Sequence, residues 1–201
     1  MRKAIWMFAA TMMLFGAVSA GQVAAQMGAK DEPKKEEPKK EEVKKLDLPW
    51  TVEDCKKGIK KGQTVKYKSV TKAAGTETVA YMVQEILEVS DKGYKAKTTN
   101  LNAEGKPEGD ATEEEKTWDA MFEGLEFTSA DTKVTEEKIK VAGGEFECKV
   151  YTQTKEEEGS KSTNTFYFIK NKPGHIAKVT VKADYGGMEV SYEMELVESK
   201  E

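Results

Sequence analysis

The sequence predicts a mainly β protein, a curved antiparallel sheet or open half-barrel of about eight strands with two short covering helices, in a single domain of residues 46–201. Three observations predict it. Much of this region alternates apolar and polar residues with period two, the pattern of strands with one wet and one dry face. Glycine-bearing turns separate the alternating runs at hairpin spacing. The 156 residues suffice for one core, since a domain of about 150 residues buries roughly 68–70% of its unfolded surface.

Residues 1–25 read as an export signal, with basic Arg2 and Lys3, an apolar run from Ala4 to Val18, and small residues at Val18-Ser19-Ala20 and Val23-Ala24-Ala25. The run is shorter than the roughly 20 apolar residues a spanning helix needs, so cleavage after Ala20 or Ala25 is expected, with no transmembrane segment in the mature chain. No Cys follows the run to take a lipid. The signal implies export from a bacterial cytoplasm, to the periplasm or the exterior.

Residues 26–45 follow as a Lys/Glu/Pro tether. From Lys30 to Lys45 a five-residue unit repeats, with seven Lys against six acids, Pro33 and Pro38 breaking any helix, and Val43 as the one apolar side chain besides proline. Such a segment cannot bury enough surface to offset its ordering entropy, and disorder is expected. Removing Arg2 and Lys3 takes the net charge from −4 to −6, and setting the tether aside leaves about −7 on residues 46–201. A domain this acidic lacks the electrostatic attraction behind most nucleic-acid binding.

Within the domain, a helix starting at Thr51 places Val52, Cys55 and Ile59 on one side, with Lys56, Lys57 and Lys60 towards its end. Strands are expected over residues 63–72, 77–90 and 93–101, the second carrying Val79, Tyr81, Val83, Leu87 and Val89 on its inward face. Thr112-Glu113-Glu114-Glu115 matches a capping box, with Trp118, Met121, Phe122 and Leu125 at helical spacing behind it, so a second helix is expected from Thr112 to Gly124. Strands over 131–141, 144–154 and 163–170 come next. The clearest pair is 176–185 with 188–196, joined by Tyr185-Gly186-Gly187-Met188, a tight hairpin signal.

The chemistry-bearing residues are sparse. The one histidine, His175, follows Pro173-Gly174 in a turn, and with two cysteines there is no ligand set for zinc. Asn100 to Gly105 starts like a calcium loop, but Ala111 stands where a bidentate Glu is needed. No phosphate loop, nucleophile elbow or dinucleotide fingerprint occurs, so neither an enzyme nor a cofactor is expected. Cys55 and Cys148 both fall on expected inward faces. In an exported protein, two such cysteines are expected to pair in a disulfide, two buried thiols being the alternative.

Val141-Ala-Gly-Gly-Glu-Phe-Glu-Cys-Lys-Val-Tyr151, then Phe166-Tyr-Phe and Pro173-Gly-His-Ile-Ala-Lys178, resemble a group of exported bacterial β-proteins of unknown function with a Gly-x-Phe-x-Cys strand and a later Pro-Gly turn. Such proteins look like the half-barrel of lipoprotein-localisation factors, whose concave face accepts acyl chains. The resemblance implies a fold and carries no site residues across.

Two functions remain as expectations. One is non-catalytic binding of an apolar ligand, a lipid or acyl chain, on the concave face, with Tyr81, Trp118, Met121, Phe122, Met188, Tyr192 and Met194 as candidate contacts, because Met and aromatic side chains suit adaptable apolar pockets. The other is an envelope scaffold or protein-interaction module in which the same side chains fill an ordinary core.

Overall fold

Pairing of the backbone begins ahead of the expected boundary at Leu46. The computed structural model describes residues 43–157 and 160–201, so the expected leader and residues 26–42 of the expected tether lie outside the described residues. Lys44 N donates to Ser129 Oγ at 2.9 Å, and Ser129 N and Leu46 N donate to the carbonyls of Lys44 and Phe127 at 2.8 and 2.9 Å. The segment leads into helix α1, Val52–Gly58, whose start is written locally. The Thr51 hydroxyl accepts from Asp54 N, and the Asp54 carboxylate accepts from Thr51 N, a complete capping box. Trp50 and Cys55 occupy the hydrophobic-staple positions and are buried in the same cluster.

Among the described residues, nine strands form one antiparallel sheet: β1 Thr64–Ala73, β2 Thr76–Val89, β3 Gly93–Leu101, β4 Thr112–Thr117, β5 Thr132–Val141, β6 Gly144–Glu157, β7 Ser160–Ile169, β8 Ile176–Tyr185 and β9 Met188–Lys200. Their order is β4-β3-β2-β1-β9-β8-β7-β6-β5, two meanders joined by the pairing of the first and last strands. β4 and β5 are the edges, so the sheet is open. All eight expected strands are present.

The second expected helix is not. Thr112–Thr117 is the edge strand β4, and the helical part shrinks to a single 3₁₀ turn, Asp119–Phe122. The physical reason lies in the neighbouring strand. Glu113 and Glu115 stand opposite Lys97 and Lys95, and Lys95 Nζ reaches Glu113 Oε2 at 2.8 Å, so long-range pairing overrides a local capping signal. Among the described residues, one α-helix therefore covers the sheet where two were expected.

β2 corrects the reading in a second way. Its buried residue is Ile86, with Met82 packed against a core cluster two turns of the pleat away, which is the face opposite the expected Val79, Tyr81 and Val83.

The core has two clusters. The first lies beneath α1, the 46–50 segment and the 118–127 connection, and it centres on Trp50, Phe127, Tyr151 and Phe168. The second gathers Val65, Tyr67, Cys148, Val150, Ile169 and Leu196. It forms because the sheet curls. Gly143, in the β5–β6 turn, donates its N–H to the Leu196 carbonyl of β9 at 2.9 Å, although three intervening strands in a flat sheet would set β5 and β9 roughly 19 Å apart. Pairing of β8 with β9 ends at Lys178 and Glu195, which leaves that carbonyl available. A Cβ on Gly143 would meet the Leu196 side chain and carbonyl at 3.0 Å, so a larger residue would force the turn away.

Candidate functional site

The seven candidate contacts do not converge on one site. Trp118, Met121 and Phe122 lie under the cover, where Trp118 is 3% exposed, packs at a tilt against Tyr94 with ring centroids 5.5 Å apart, and donates its indole N–H to the Ser90 carbonyl at 3.1 Å. Phe122 sits edge-on to Trp50 at 6.2 Å. Around them the aromatic packing is continuous, with Phe127 4.7 Å from Tyr151 and 5.5 Å from Phe166, and Trp50 5.3 Å from Phe168. The polar ends of these rings are satisfied. Trp50 Nε1 donates to the Ile169 carbonyl at 3.0 Å, and the Tyr151 hydroxyl donates to the Asp47 carbonyl.

Tyr192 and Met194 occupy the same face of the sheet further along, since Met194 stands opposite Ser69 and Val179, and Tyr192 opposite Thr71 and Val181. Among the described residues no helix covers this half, and both side chains are half-buried. Burial pushes the Tyr192 phenol above its ordinary value. Tyr81 belongs to the other face, opposite Lys68, with Lys66 Nζ 4.8 Å above its ring. Met188 is 50% exposed at the tip of the β8–β9 hairpin, paired with Tyr185.

Two spaces remain. Under the cover is a cavity of about 40 Å³, lined by Gln63, Gln84, Tyr67, Tyr94, Met121 and His175, with room for a few waters. An open groove of about 340 Å³ lies between the β1–β2 and β8–β9 hairpins. There Val70, Glu193 and Thr180 form one cross-strand row and Lys72, Ser191 and Lys182 the next. Lys72 is paired with Glu77 at 2.9 Å, and Glu193 with Lys178 beside the groove at 2.8 Å, so most of the groove's charge is neutralised. Of the seven candidates, Met121 lines the first space and Tyr192 the second. The polar residues around the small cavity carried no periodic signal in the sequence. Only His175, by being the one histidine, was marked out.

Cys55 and Cys148 are both fully buried, as expected, but they are unbonded thiols in different clusters, and the expected disulfide is not present. Burial, with Asp54 near one and Glu137 near the other, pushes each up to about 11. Neutral thiols of this kind are poor nucleophiles. Asn100 to Gly105 is a surface turn in which Asn102 Oδ1 accepts from the backbone N–H groups of Glu104 and Lys106, both at 3.0 Å. Among the described residues, no group of His, Cys, Asp or Glu is placed to hold a metal ion, and no helix is long and apolar enough to cross a membrane.

No protein-family model matches the chain, and no curated protein matches it. Three solved structures are similar to it at low scores. One is a candidate lipoprotein from Parabacteroides distasonis, with a TM-score of 0.44 and 14% identity, covering 70% of this chain and 96% of that one. Another is a candidate exported protein with a YmcC-like fold from Bacteroides fragilis, with a TM-score of 0.42 and 12% identity over 71% of this chain and 97% of that one. A candidate outer membrane lipoprotein-sorting protein domain from Vibrio parahaemolyticus gives a TM-score of 0.27 and 11% identity over 69% of this chain and 84% of that one. At these scores no ligand, residue or activity is transferred.

Proposed function

We propose that the chain is a non-catalytic, exported interaction module with a filled core, acting through its outer surfaces rather than by enclosing an apolar guest. The observation that supports this reading most is the space under the cover. About 40 Å³ remains there, against the roughly 300–1,000 Å³ typical of ligand pockets, because Trp50, Phe127, Tyr151 and Phe168 occupy the volume an acyl chain would need. The larger groove is open and lined by the charged side chains of Lys72, Lys182, Glu77 and Glu193, whose hydration an acyl chain lying there would strip away. The test is titration with fluorescent fatty-acid probes and a panel of lipids at micromolar concentration. No saturable binding is expected, and stoichiometric binding abolished by Trp118→Ala would overturn the reading.

A second reading rests on one observation, the half-buried strip of Tyr192, Met194, Val181 and Val190 on the uncovered half of the same face. An apolar ligand lying there would bind without displacing the core. Its signature is probe binding that survives Trp118→Ala and is lost with Tyr192→Ser.

A further inference from the structure

We propose that the turn Lys170–His175 between β7 and β8 is a pH-sensitive clasp, in which protonation of His175 releases the turn from α1 and opens the covered end of the sheet. The turn is pressed tightly against its neighbours. Gly174 adopts φ 81°, and a Cβ there would lie 2.7 Å from Met121 Cε and 2.9 Å from Ile59 Cδ1. Pro173 fits against the end of α1, where a Cβ on Gly58 would come within 3.2 Å of the Pro173 ring. The turn thus joins α1 and the 3₁₀ turn at one point, directly over the small cavity.

His175 is the titratable member of that joint. Its Nδ1 lies 3.1 Å from the Pro173 carbonyl, which can only accept, so Nδ1 carries the proton of the neutral ring and Nε2 is left bare. The ring borders the cavity whose other polar members, Gln63, Gln84, Tyr67 and Tyr94, are all uncharged near neutrality. Burial pushes the Tyr67 phenol up to about 12 and raises that of Tyr94, so neither supplies a negative charge. The charged groups near the ring are Lys172 on the turn itself, Glu201 at the chain end, and Lys60, which lies near Glu201. Glu201 is held by Lys172 at 3.2 Å, which leaves little of its charge for an imidazolium.

Burial is therefore the largest influence and holds the imidazole below its ordinary value of 6.5, the Lys172 ammonium adding to it, while the Pro173 and Lys172 backbone and Glu201 act the other way. A histidine whose folded pKa is depressed binds its proton more readily once undocked. The clasp is thus closed above about pH 6.5 and weakens as pH falls towards the folded value. His175 is the chain's one histidine, so no other side chain has an ordinary pKa in this window.

The experiment is amide hydrogen exchange, corrected for intrinsic rates, at about pH 7.5 and about pH 5, with an NMR titration of the imidazole in the same protein. Protection at Ile59, Gln63, Met121 and His175 is expected to fall about tenfold or more between the two, while Val70 and Val181 in the central strands stay within about twofold. His175→Gln, neutral throughout, should flatten the change. The proposal is overturned by an equal fall in His175→Gln, by no fall in the wild type, or by an imidazole that titrates at or above 6.5. Should His175→Gln fail to fold, the wild-type titration and exchange decide the matter alone.

Discussion

The two ends of the sheet are built from similar strands yet carry different loads. At the covered end, cross-strand neighbours Tyr151 and Phe166 meet Phe127, and Phe168 meets Trp50, both from connections outside the sheet, and Tyr151 and Phe168 have no exposure at all. At the hairpin end, Tyr192, Met194 and Val181 share the same face but stay half-buried, Met194 packing against the second cluster. Alternation along a strand decides which side chains share a face. Whether that face becomes core depends on what the connections bring to it.

The largest effect should therefore come from the cover. Trp118→Ala removes a buried ring packed against Tyr94 and the indole bond to Ser90, and is expected to cost about 3–5 kcal/mol in urea unfolding. A cost near 1 kcal/mol would mean that the cover is loosely seated and the contrast between the two ends is false.

The strands were legible because apolar alternation and glycine turns agree. Gly186 and Gly187 both take left-handed φ, 64° and 94°, as a tight hairpin between Tyr185 and Met188 requires. β2 was misread because Thr76–Val89 is apolar in both phases, Val79-Tyr81-Val83 and Ala80-Met82-Ile86, so periodicity could not choose a face. β4 was missed because its stabilising partners, Lys95 and Lys97, lie about twenty residues earlier, while its capping signal is local. The candidate contacts were chosen for side-chain type and inward phase. That phase holds for Trp118, Tyr192 and Met194, but Phe127, at the centre of the cover, sits in a connection without period and gave no signal.

The cysteines sharpen the comparison at a smaller scale, since one belongs to each cluster. Non-reducing peptide mapping should recover both as thiols, and a thiol reagent should label neither until the protein unfolds, because burial disfavours both access and the thiolate. Cys55→Ser and Cys148→Ser should each cost about 1–3 kcal/mol, the range for a buried hydroxyl without a full-strength hydrogen bond, and the loss at Cys148 should be the smaller because its thiol already donates to the Phe146 carbonyl. Recovery of a Cys55–Cys148 linkage would require the two clusters to be rearranged.

At the hairpin end the losses shrink. Tyr192→Ala is expected to cost about 1 kcal/mol, and Met188→Ser to stay within about 0.5 kcal/mol, as for surface positions elsewhere. A loss at Met188 comparable to that at Trp118 would show that the tip is covered in solution, for which a concentration-dependent melting temperature is the check.

The smallest expected effect is electrostatic and belongs to the connection that delivers Phe127. Asp131 Oδ1 accepts from the hydroxyls of Thr128 and Thr132, and Oδ2 from Gln153 Nε2, all at 2.8 Å. Burial pushes its carboxyl up, but these donors together outweigh it and hold the group below its ordinary value of 3.8. A depressed carboxylate favours the folded state above the unfolded pKa, and that contribution fades as pH falls through the folded value. Urea midpoints measured near pH 7 and near pH 3 should therefore drop less in Asp131→Asn than in the wild type, with the variant the weaker of the two at neutral pH. An unchanged acid loss in the variant would mean that the Thr128–Asp131–Gln153 bonds do not hold the Phe127 connection, and that the aromatic contacts alone keep the cover in place.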